Sequence, residues 1–271
     1  MARTAASRLI GSLSYQEVAA ALRSSSILCL PMGSLEQHGP HLPLNTDTVL
    51  AEAFTARIVE HWGKAYDLWQ LPAVPVGLSR EHDWAAGTVS LSVGGLTVYL
   101  RDFIGDVVRS MPARNLLVVN GHGGNRGVLE ALSREFAANF GLNLGVLHLG
   151  AAMSPVSGEG VPEIHAGLDE TSAMLALAPK LVRRERIRGL KPPPDGKSSR
   201  KLILDPVLSW PWRSDDPRLS RSGVIGDARQ ASERHGKAIV KRVIAVAGEA
   251  LSQLRENEKA AKPRRGRQGQ P

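Results

Sequence analysis

Apolar residues alternate along the chain between short continuous runs and longer stretches in which they recur every three or four positions. The short runs are typical of buried strands and cover residues 27–32, 116–119 and 143–149. The longer stretches are typical of helices and cover residues 46–62, 96–111, 127–140, 170–177 and 231–256. This alternation predicts βαβ units, and therefore an α/β fold: a three-layer α/β/α domain around a mainly parallel sheet.

Three features of this pattern lead to further predictions. The helix that begins at residue 46 is expected to stop at Gly63. Residues 71–78 are apolar but include Pro72 and Pro75, so they are expected to form a weak strand or a sheet edge. The last helix, over residues 231–256, is long enough either to cover one edge of the domain or to pack on a neighbouring subunit.

The composition excludes several classes of protein. A chain of 271 residues that is 42% hydrophobic has enough apolar side chains for a large core, so disorder is not its dominant state. It has no run of about 18 uninterrupted apolar residues and no continuous apolar segment of a secretory signal. The single cysteine, Cys29, excludes an intrachain disulfide and a cysteine-rich zinc site, and its apolar neighbours predict a buried thiol. We therefore expect a cytoplasmic protein.

Most of the excess positive charge lies in two segments. Residues 259–271 carry five basic and no acidic side chains, and without them the formal net charge falls from +8 to +3. Residues 183–201 carry eight more and include three consecutive prolines. Neither segment is interleaved with aromatic residues, so nucleic acid is not an expected partner. We expect one domain over residues 1–256, followed by a basic, disordered tail over residues 257–271.

Side chains that bind metal ions follow the first predicted strand, where sites of open α/β sheets are found. If the chain stays extended, Glu36 and His38 point the same way and Gln37 points opposite. Asp47 follows nine residues after His38, at the start of the next helix, where an acidic residue also complements the helix dipole. The three side chains taken together predict a site for a divalent metal.

A glycine-rich loop, NGHGGN at residues 120–125, follows another predicted strand and has His122 at its centre. Glycines before a helix also occur in phosphate-binding loops, but the Lys-Ser/Thr ending of such a loop and the GxGxxG spacing are both missing. The central histidine favours metal binding. Asn120 and Asn125 are expected to hold the loop through hydrogen bonds to the backbone.

Two further groups of polar residues complete the candidate site. His165 precedes a helix, where it could move protons, and Glu170 lies at the start of that helix; both are candidate catalytic residues. Asp169 is a candidate cap for the same helix. Candidates for lining a substrate pocket or orienting the metal ligands follow the proline-containing run, and they are Ser79, Glu81, His82 and Thr88.

These motifs, taken in order, resemble those of the creatininase (creatinine amidohydrolase) family over about residues 26–182. They are GSLEQHGPHLPLNTD at 33–47, EH at 81–82, GT at 87–88, NGHGGN at 120–125 and HAGLDETS at 165–172. The resemblance implies an α/β/α domain and a site for two divalent metals. It also implies hydrolysis of a non-peptide or unusual C–N bond in a small-molecule amide, and a homo-oligomer such as a hexamer.

Carried over by position, the resemblance also implies ligand roles: Glu36 on one metal, His38 on the other, Asp47 between the two and His122 as the second histidine. Creatininase itself has a glutamate where this chain has Gly124, and Glu170 is our candidate to replace that carboxylate. His165 matches the histidine that the family uses near the leaving nitrogen. The tryptophans that enclose creatinine have no match just before His165, so creatinine itself is not the expected substrate.

The expected function is metal-dependent hydrolysis of an amide or cyclic amide bond. Two divalent ions would activate a water and polarise the carbonyl group, while His165 donates the proton. Mixed oxygen and nitrogen ligands suit zinc first, with manganese or iron as alternatives. A peptidase resembling the family member of mycofactocin maturation is the alternative within this frame. A non-catalytic binder of anions or nucleic acid is the alternative from another class.

Overall fold

The computed structural model describes residues 8–154, 161–220 and 222–261. Within them, four parallel strands form one sheet in the order β2-β1-β3-β4. The strands are β1 (Ile27–Met32), β2 (Leu68–Gln70), β3 (Asn115–Asn120) and β4 (Asn143–His148). β1 and β3 pair along their whole length, with Met32 opposite Asn120, so their carboxyl ends are level. The predicted parallel sheet is confirmed.

Helices cover both faces of this sheet. They are α1 (Tyr15–Ala21), α2 (Thr46–Tyr66), α3 (Val93–Ser110), α4 (Arg126–Phe140), α5 (Leu149–Met153), α6 (Leu168–Leu177), α7 (Arg184–Ile187), α8 (Lys197–Leu202) and α9 (Glu233–Ala261). Alternate side chains of β1 enter different cores because successive strand residues point to opposite faces. Ile27 and Cys29 pack with α2, α6 and α9, whereas Leu28 and Leu30 pack with α3 and α4. The three-layer α/β/α fold is therefore confirmed.

The long helix α9 packs on its own domain. Its fully buried residues recur about every four positions and are Ile239, Val243, Ala247 and Leu251. They face α6, α2 and β4, and the indole of Trp62 donates a hydrogen bond of 3.0 Å to the carbonyl of Ile244. The helix also continues to Ala261, so residues 257–261, expected to begin a disordered tail, are helical. Residues 262–271 of that tail lie outside the described residues.

The end of α2 differs from the expectation that Gly63 would terminate it. The helix continues to Tyr66, and Asp67 follows in the left-handed conformation with φ of 51°. That conformation is unfavourable for most residues other than glycine. Here Ser26, Trp69 and Arg8 donate hydrogen bonds to the Asp67 carboxylate. Two of these donors, Ser26 and Arg8, lie far from Asp67 in the sequence, so a local pattern does not show the contacts that stabilise the helix end.

The weak strand expected over residues 71–78 is replaced by a shorter one upstream. β2 ends at Gln70, and the chain beyond it stays beside β1 through one isolated bridge between Met32 and Val74. Pro72 and Pro75 have no backbone N–H to donate, which interrupts the ladder. Cys29 is fully buried as expected, and burial raises the pKa of its thiol to about 12. Among the described helices, none has the length and apolarity needed to cross a membrane.

The basic segment expected to be a Pro-rich loop contains the short helices α7 and α8, with the three prolines between them. Most of its side chains are exposed. The backbone N–H of Arg183 donates to the carbonyl of His41 at 2.9 Å, and the guanidinium of Arg186 reaches the carbonyl of Pro40 at 3.3 Å. The segment therefore lies against the loop that follows β1.

Replacing Gly33 by alanine is expected to lower the free energy of unfolding by about 1–3 kcal/mol, the usual cost of overpacking. Gly33 follows β1, and a Cβ at this position would overlap the backbone of Thr48 in the first turn of α2. Gly127 on α4 is the matched control, because a Cβ there meets no atom within 4 Å. Gly127→Ala is expected to be neutral or stabilising by up to about 1 kcal/mol. Equal thermal unfolding of the two variants would contradict this close contact.

Candidate metal centre

The predicted ligands meet at the carboxyl ends of β1 and β3. Glu36 and His38 lie on the loop after β1, Asp47 is the second residue of α2, and His122 follows β3. Each of these four side chains is at most 5% exposed. Glu170 approaches from the first turn of α6, with a side chain that is 14% exposed. The structure thus brings together all five side chains expected to bind metal.

Two groups of ligand atoms share Asp47. In the first group, Nδ1 of His122 lies 3.2 Å from Oε2 of Glu36 and 3.1 Å from Oδ2 of Asp47. In the second, Nε2 of His38 lies 3.0 Å from Oδ1 of Asp47 and 3.9 Å from Oε2 of Glu170. Within each group, every residue offers one atom within 4.8 Å of the others. Asp47 therefore has one oxygen on each side, as a bridging ligand requires.

Glu170 offers a carboxylate beside His38 and Asp47, whereas Gly124 offers no ligand. A Cβ at Gly124 would overlap the carbonyl oxygen of Leu78 and lie 2.8 Å from Oε1 of Glu81. The local backbone therefore leaves no room for a side chain at residue 124. The carboxylate of Glu170 is held in place by a hydrogen bond of 2.5 Å, in which its Oε2 accepts the backbone N–H of Ala166.

Backbone carbonyls fix the orientation of both histidines that are candidate ligands. His122 uses Nε2 to contact the carbonyl of Leu78 at 2.6 Å, and His38 uses Nδ1 to contact the carbonyl of Glu36 at 3.2 Å. A carbonyl only accepts hydrogen bonds, so each of these nitrogens carries a proton. The second nitrogen of each ring faces the carboxylates, which is the usual arrangement of a metal-binding histidine.

Several buried oxygens of the centre have no hydrogen-bond donor among the described residues. They are both carboxylate oxygens of Glu36 and Oδ2 of Asp47. An unsatisfied buried acceptor is costly, and a buried charge without a partner costs more. Divalent cations would satisfy these oxygens, and the set of carboxylates and imidazoles suits zinc, manganese or iron. The residues present therefore fit a pair of divalent ions.

The raised pKa values of titratable groups in the centre show that its carboxylates favour bound positive charge. Burial alone would lower the pKa of His38, but the charges of Asp47, Glu170 and Glu36 raise it to about 9. His122 follows the same rule, because Glu36 and Asp47 overcome burial and hold its pKa well above the usual value. Burial is the main cause that raises the pKa of Glu170 to about 7. Without metal, protons compensate the carboxylates in place of cations.

Metal binding at pH 7 is therefore expected to release protons. His38 keeps its proton up to about pH 9 without metal, and a metal needs the nitrogen lone pair that this proton occupies. Below its raised pKa, His38 is mostly protonated and the proton competes with the metal. The apparent metal affinity should therefore rise from pH 7 to pH 9, as this proton is lost. Calorimetric titration with Zn²⁺ in buffers of different ionisation enthalpy measures the released protons. His61→Ala, which removes an exposed imidazole of α2, should release as many as wild type. Buffer-independent heats would refute this competition.

The residues expected to line a substrate pocket divide into two pairs. His82 and Glu81 face the centre: Nε2 of His82 lies 3.4 Å from Oε1 of Glu36, and Oε1 of Glu81 lies 3.5 Å from Nε2 of His122. Burial raises the pKa of Glu81. Ser79 is buried against the hydroxyl of Ser34, and Oγ1 of Thr88 accepts the backbone N–H of Gln37. The contacts of Ser79 and Thr88 hold loops in place and give no support to substrate binding.

Gln37 and Ser214 contact the candidate site although the sequence pattern did not assign them to it. Nε2 of Gln37, a residue expected to point away, lies 2.9 Å from Nδ1 of His82 and 3.0 Å from Nε2 of His165. Oγ of Ser214 lies 2.7 Å from Nδ1 of His82. Gln37 lies inside the motif at residues 33–47, and that position could have indicated a role in the site. Ser214 stands in a segment outside every motif, and no signal in the sequence indicated it.

Of three residues expected to support the site, the two asparagines have the expected contacts and the aspartate does not. Asn120 and Asn125 do hold the glycine-rich loop, because their amides donate to the carbonyls of His122 and Gly33. Asp169 does not cap α6, since the N-cap of that helix is Gly167. Its carboxylate instead accepts hydrogen bonds from His235 and Ser154.

The sequence is similar to proteins of known activity. A sequence model of the Creatininase family, described as creatinine amidohydrolase, matches residues 11–251. The chain is 37% identical over 227 residues to a mycofactocin precursor peptide peptidase of Mycobacterium tuberculosis, covering 80% of each chain. It is 29% identical over 253 residues to a creatinine amidohydrolase of Pseudomonas putida, covering 86% of this chain and 91% of the relative.

Solved structures give the same result. A creatininase variant complexed with creatine matches with a TM-score of 0.73 and 27% identity, over 91% of this chain and 98% of its own. A creatininase of Zn–Zn type and a Mn creatininase match with TM-scores of 0.70 and 0.69, at the same identity and coverage. This chain therefore belongs to the creatininase family, as the order of its motifs indicated, and is a hydrolase of that family.

Proposed function

We propose that this hydrolase cleaves the C–N bond of an amide with the help of two divalent ions. The observation that carries the proposal is the position of Asp47, whose two oxygens face His38 and His122 on opposite sides. A shared carboxylate between two groups of ligands is typical of two-metal hydrolytic centres. Zinc is the first metal we propose, with manganese or iron as alternatives.

Ions held by these residues would polarise the amide carbonyl and bring the pKa of water close to neutrality. The chain itself supplies orientation and shielding. Backbone carbonyls hold the rings of His38 and His122, and the burial of Glu36 and Asp47 keeps bulk water from the carboxylates. Preorganised groups in a site of low dielectric act more strongly on a developing charge than the same groups in water.

The contacts of His165 do not favour the proton-donor role expected for it. Its Nε2 lies 2.7 Å from the carbonyl of Gln37, so the proton of the neutral ring is already engaged there. Its Nδ1 lies 3.5 Å from Oε1 of Glu36. Burial, with the neighbouring His82 and His38, holds the pKa of His165 well below its usual value, which keeps the ring neutral. Glu170, also expected to be catalytic, is better placed as a ligand.

The substrate we propose is an amide of a peptide. The peptidase relative is 37% identical to this chain and the creatinine amidohydrolase relative 29%, so the comparison favours a peptide over the small cyclic amide expected first. The side chains of Glu81 and Glu170 are 16% and 14% exposed, and they mark where a substrate would reach the otherwise buried centre. A homo-oligomeric state stays a prediction.

The experiment combines elemental analysis with an activity panel. Purified protein is expected to contain two divalent ions per chain and, once loaded with zinc, manganese or ferrous iron, to hydrolyse short peptides faster than lactams or formamides. Turnover of lactams or formamides alone would overturn the peptide assignment. A protein that stays without metal after reconstitution, and binds nucleic acid in a salt-sensitive way, would instead support the non-catalytic alternative.

A further inference from the structure

His82 and His165 are stacked beside the candidate metal centre but are connected to the protein in opposite ways. Their ring centroids lie 4.1 Å apart, and the ring planes are inclined by 27°. Each ring has one nitrogen near Oε1 of Glu36, at 3.4 Å for His82 and 3.5 Å for His165. The partners of the other two nitrogens show which ring offers an N–H to the site and which offers a lone pair.

The orientation of the Gln37 amide indicates which nitrogen of His82 carries the proton. Its Oε1 accepts the backbone N–H of Gly39 at 2.9 Å, which fixes the orientation of the amide and makes Nε2 the donor. One hydrogen of Nε2 has the carbonyl of Gly223 as acceptor at 3.1 Å. The other has Nδ1 of His82 at 2.9 Å as its shortest contact, with Nε2 of His165 at 3.0 Å and Oγ of Ser214 at 3.3 Å. Nε2 of His165 donates its own proton to the carbonyl of Gln37 at 2.7 Å, so it does not accept this hydrogen. Nδ1 of His82 therefore meets a donor.

Ser214 presents a second donor to the same nitrogen. Its Oγ accepts the indole N–H of Trp84 at 2.8 Å and lies 2.7 Å from Nδ1 of His82. The hydroxyl proton of Ser214 also has the carbonyl of Glu81 as an acceptor at 3.3 Å, but the contact with Nδ1 of His82 is the shorter one. A nitrogen surrounded by donors keeps its lone pair, so the neutral ring of His82 carries its proton on Nε2.

His165 has the reverse orientation. Its Nε2 lies 2.7 Å from the carbonyl of Gln37, which accepts the only proton of a neutral ring. The lone pair on Nδ1 then faces Glu36, and His165 forms a group of possible metal ligands with Glu36 and His38. A lone pair directed at a carboxylate is stabilised when a cation lies between them. His165 therefore directs a lone pair into the centre, while His82 directs an N–H.

No described residue accepts a hydrogen bond from this N–H of His82. Its nearest carboxylate oxygen, Oε1 of Glu36, has no hydrogen-bond donor in the described part of the chain despite the 3.4 Å separation. The ring is held by Gln37 and Ser214 and packs edge-on against Trp212 at 6.0 Å. A rigid donor that the protein leaves unused, next to the metal ligands, is available to a substrate.

We propose that His82, in place of His165, supplies the N–H that binds the scissile amide, and that His165 directs its lone pair to the metal ions. This inference rests on the proposed amide hydrolysis. A neutral imidazole is a suitable donor to an oxygen or nitrogen that becomes more negative during the reaction. Gln37 and Ser214 then act as positioning residues, because they hold the ring of His82 in the required tautomer.

The first test needs no substrate. ¹⁵N NMR of the full chain loaded with Zn²⁺ distinguishes a protonated from an unprotonated ring nitrogen, and the His82→Gln spectrum assigns the resonances. We expect His82 to be protonated at Nε2 and unprotonated at Nδ1. Protonation at Nδ1 would overturn the inference even if the protein hydrolyses amides. If the protein hydrolyses no amide, the proposed function fails while this measurement still reports the tautomer.

The second test separates the donor from the ligand. His82→Phe is expected to keep the wild-type metal content and KM but to lose about 100-fold in kcat, the effect of removing one preorganised donor. His82→Gln places an amide N–H near the position of Nε2 and should recover at least about tenfold. His165→Leu is expected to lose metal instead. Unchanged kcat in His82→Phe, or loss of its metal, would overturn the proposal.

Discussion

Replacing Asp47 by alanine is expected to release both metal ions and to lower kcat by at least about a thousandfold. Asp47 is the residue that both ligand groups share, and its oxygens lie 3.0 Å from Nε2 of His38 and 3.1 Å from Nδ1 of His122. Removing it takes a ligand from each ion at once. Metal ions contribute several kcal/mol to the stabilisation of a hydrolytic transition state, and each 1.36 kcal/mol corresponds to a factor of ten.

The matched control for this variant is Asp106→Ala. Asp106 has a 72% exposed side chain on α3 and pairs with Arg109 one turn away on the same helix. Its replacement should leave metal content and kcat unchanged, since an exposed ion pair is screened by solvent and contributes little to stability. Elemental analysis, circular dichroism and a peptide assay on both variants test the prediction. Full activity of a metal-free Asp47→Ala protein would contradict the proposed mechanism.

The sequence predicted which candidate ligands would lie together because strand ends are recognisable in it. Glu36 and His122 follow the apolar runs of β1 and β3, and parallel strands place whatever follows them at one edge of the sheet. Asp47 was recognisable for a related reason, as an acidic residue in the first turn of a predicted helix. Local periodicity and one topological rule were therefore sufficient to bring these side chains together.

The hydrogen bonds around His82 could not be predicted in the same way. Ser214 lies 132 positions from His82 along the chain, in a segment without regular structure and outside every motif. Its contact depends on how a long connection folds back over the site, which hydrophobic periodicity does not encode. The helix α1 was missed for another reason: Ser14 and Glu17 form a capping box that the sequence does show, but no apolar run drew attention to it.

Loss of one ion and about a 100-fold fall in kcat are expected for Glu170→Ala. Only the group of His38, Asp47 and Glu170 loses a ligand, because Glu36 and His122 form the other group with Asp47. Glu170→Gln distinguishes an effect on metal binding from an effect on folding. Its amide oxygen can still accept the N–H of Ala166, so the helix start should be preserved while the negative charge is lost. Metal content should fall in both variants, and the thermal stability of the metal-free protein should stay close to wild type in Glu170→Gln.

A double variant tests why this chain takes its carboxylate from α6. Gly124→Glu in the Glu170→Ala background is expected to leave the second ion unbound, because a side chain at residue 124 would overlap the carbonyl of Leu78 and approach Glu81. Recovery of two ions and of activity would show that the loop after β3 can rearrange. Two ions and wild-type kcat in the single variant Glu170→Ala would remove Glu170 from the centre altogether. Because the overlap involves the backbone of Leu78, which a rotamer change cannot relieve, we expect neither result.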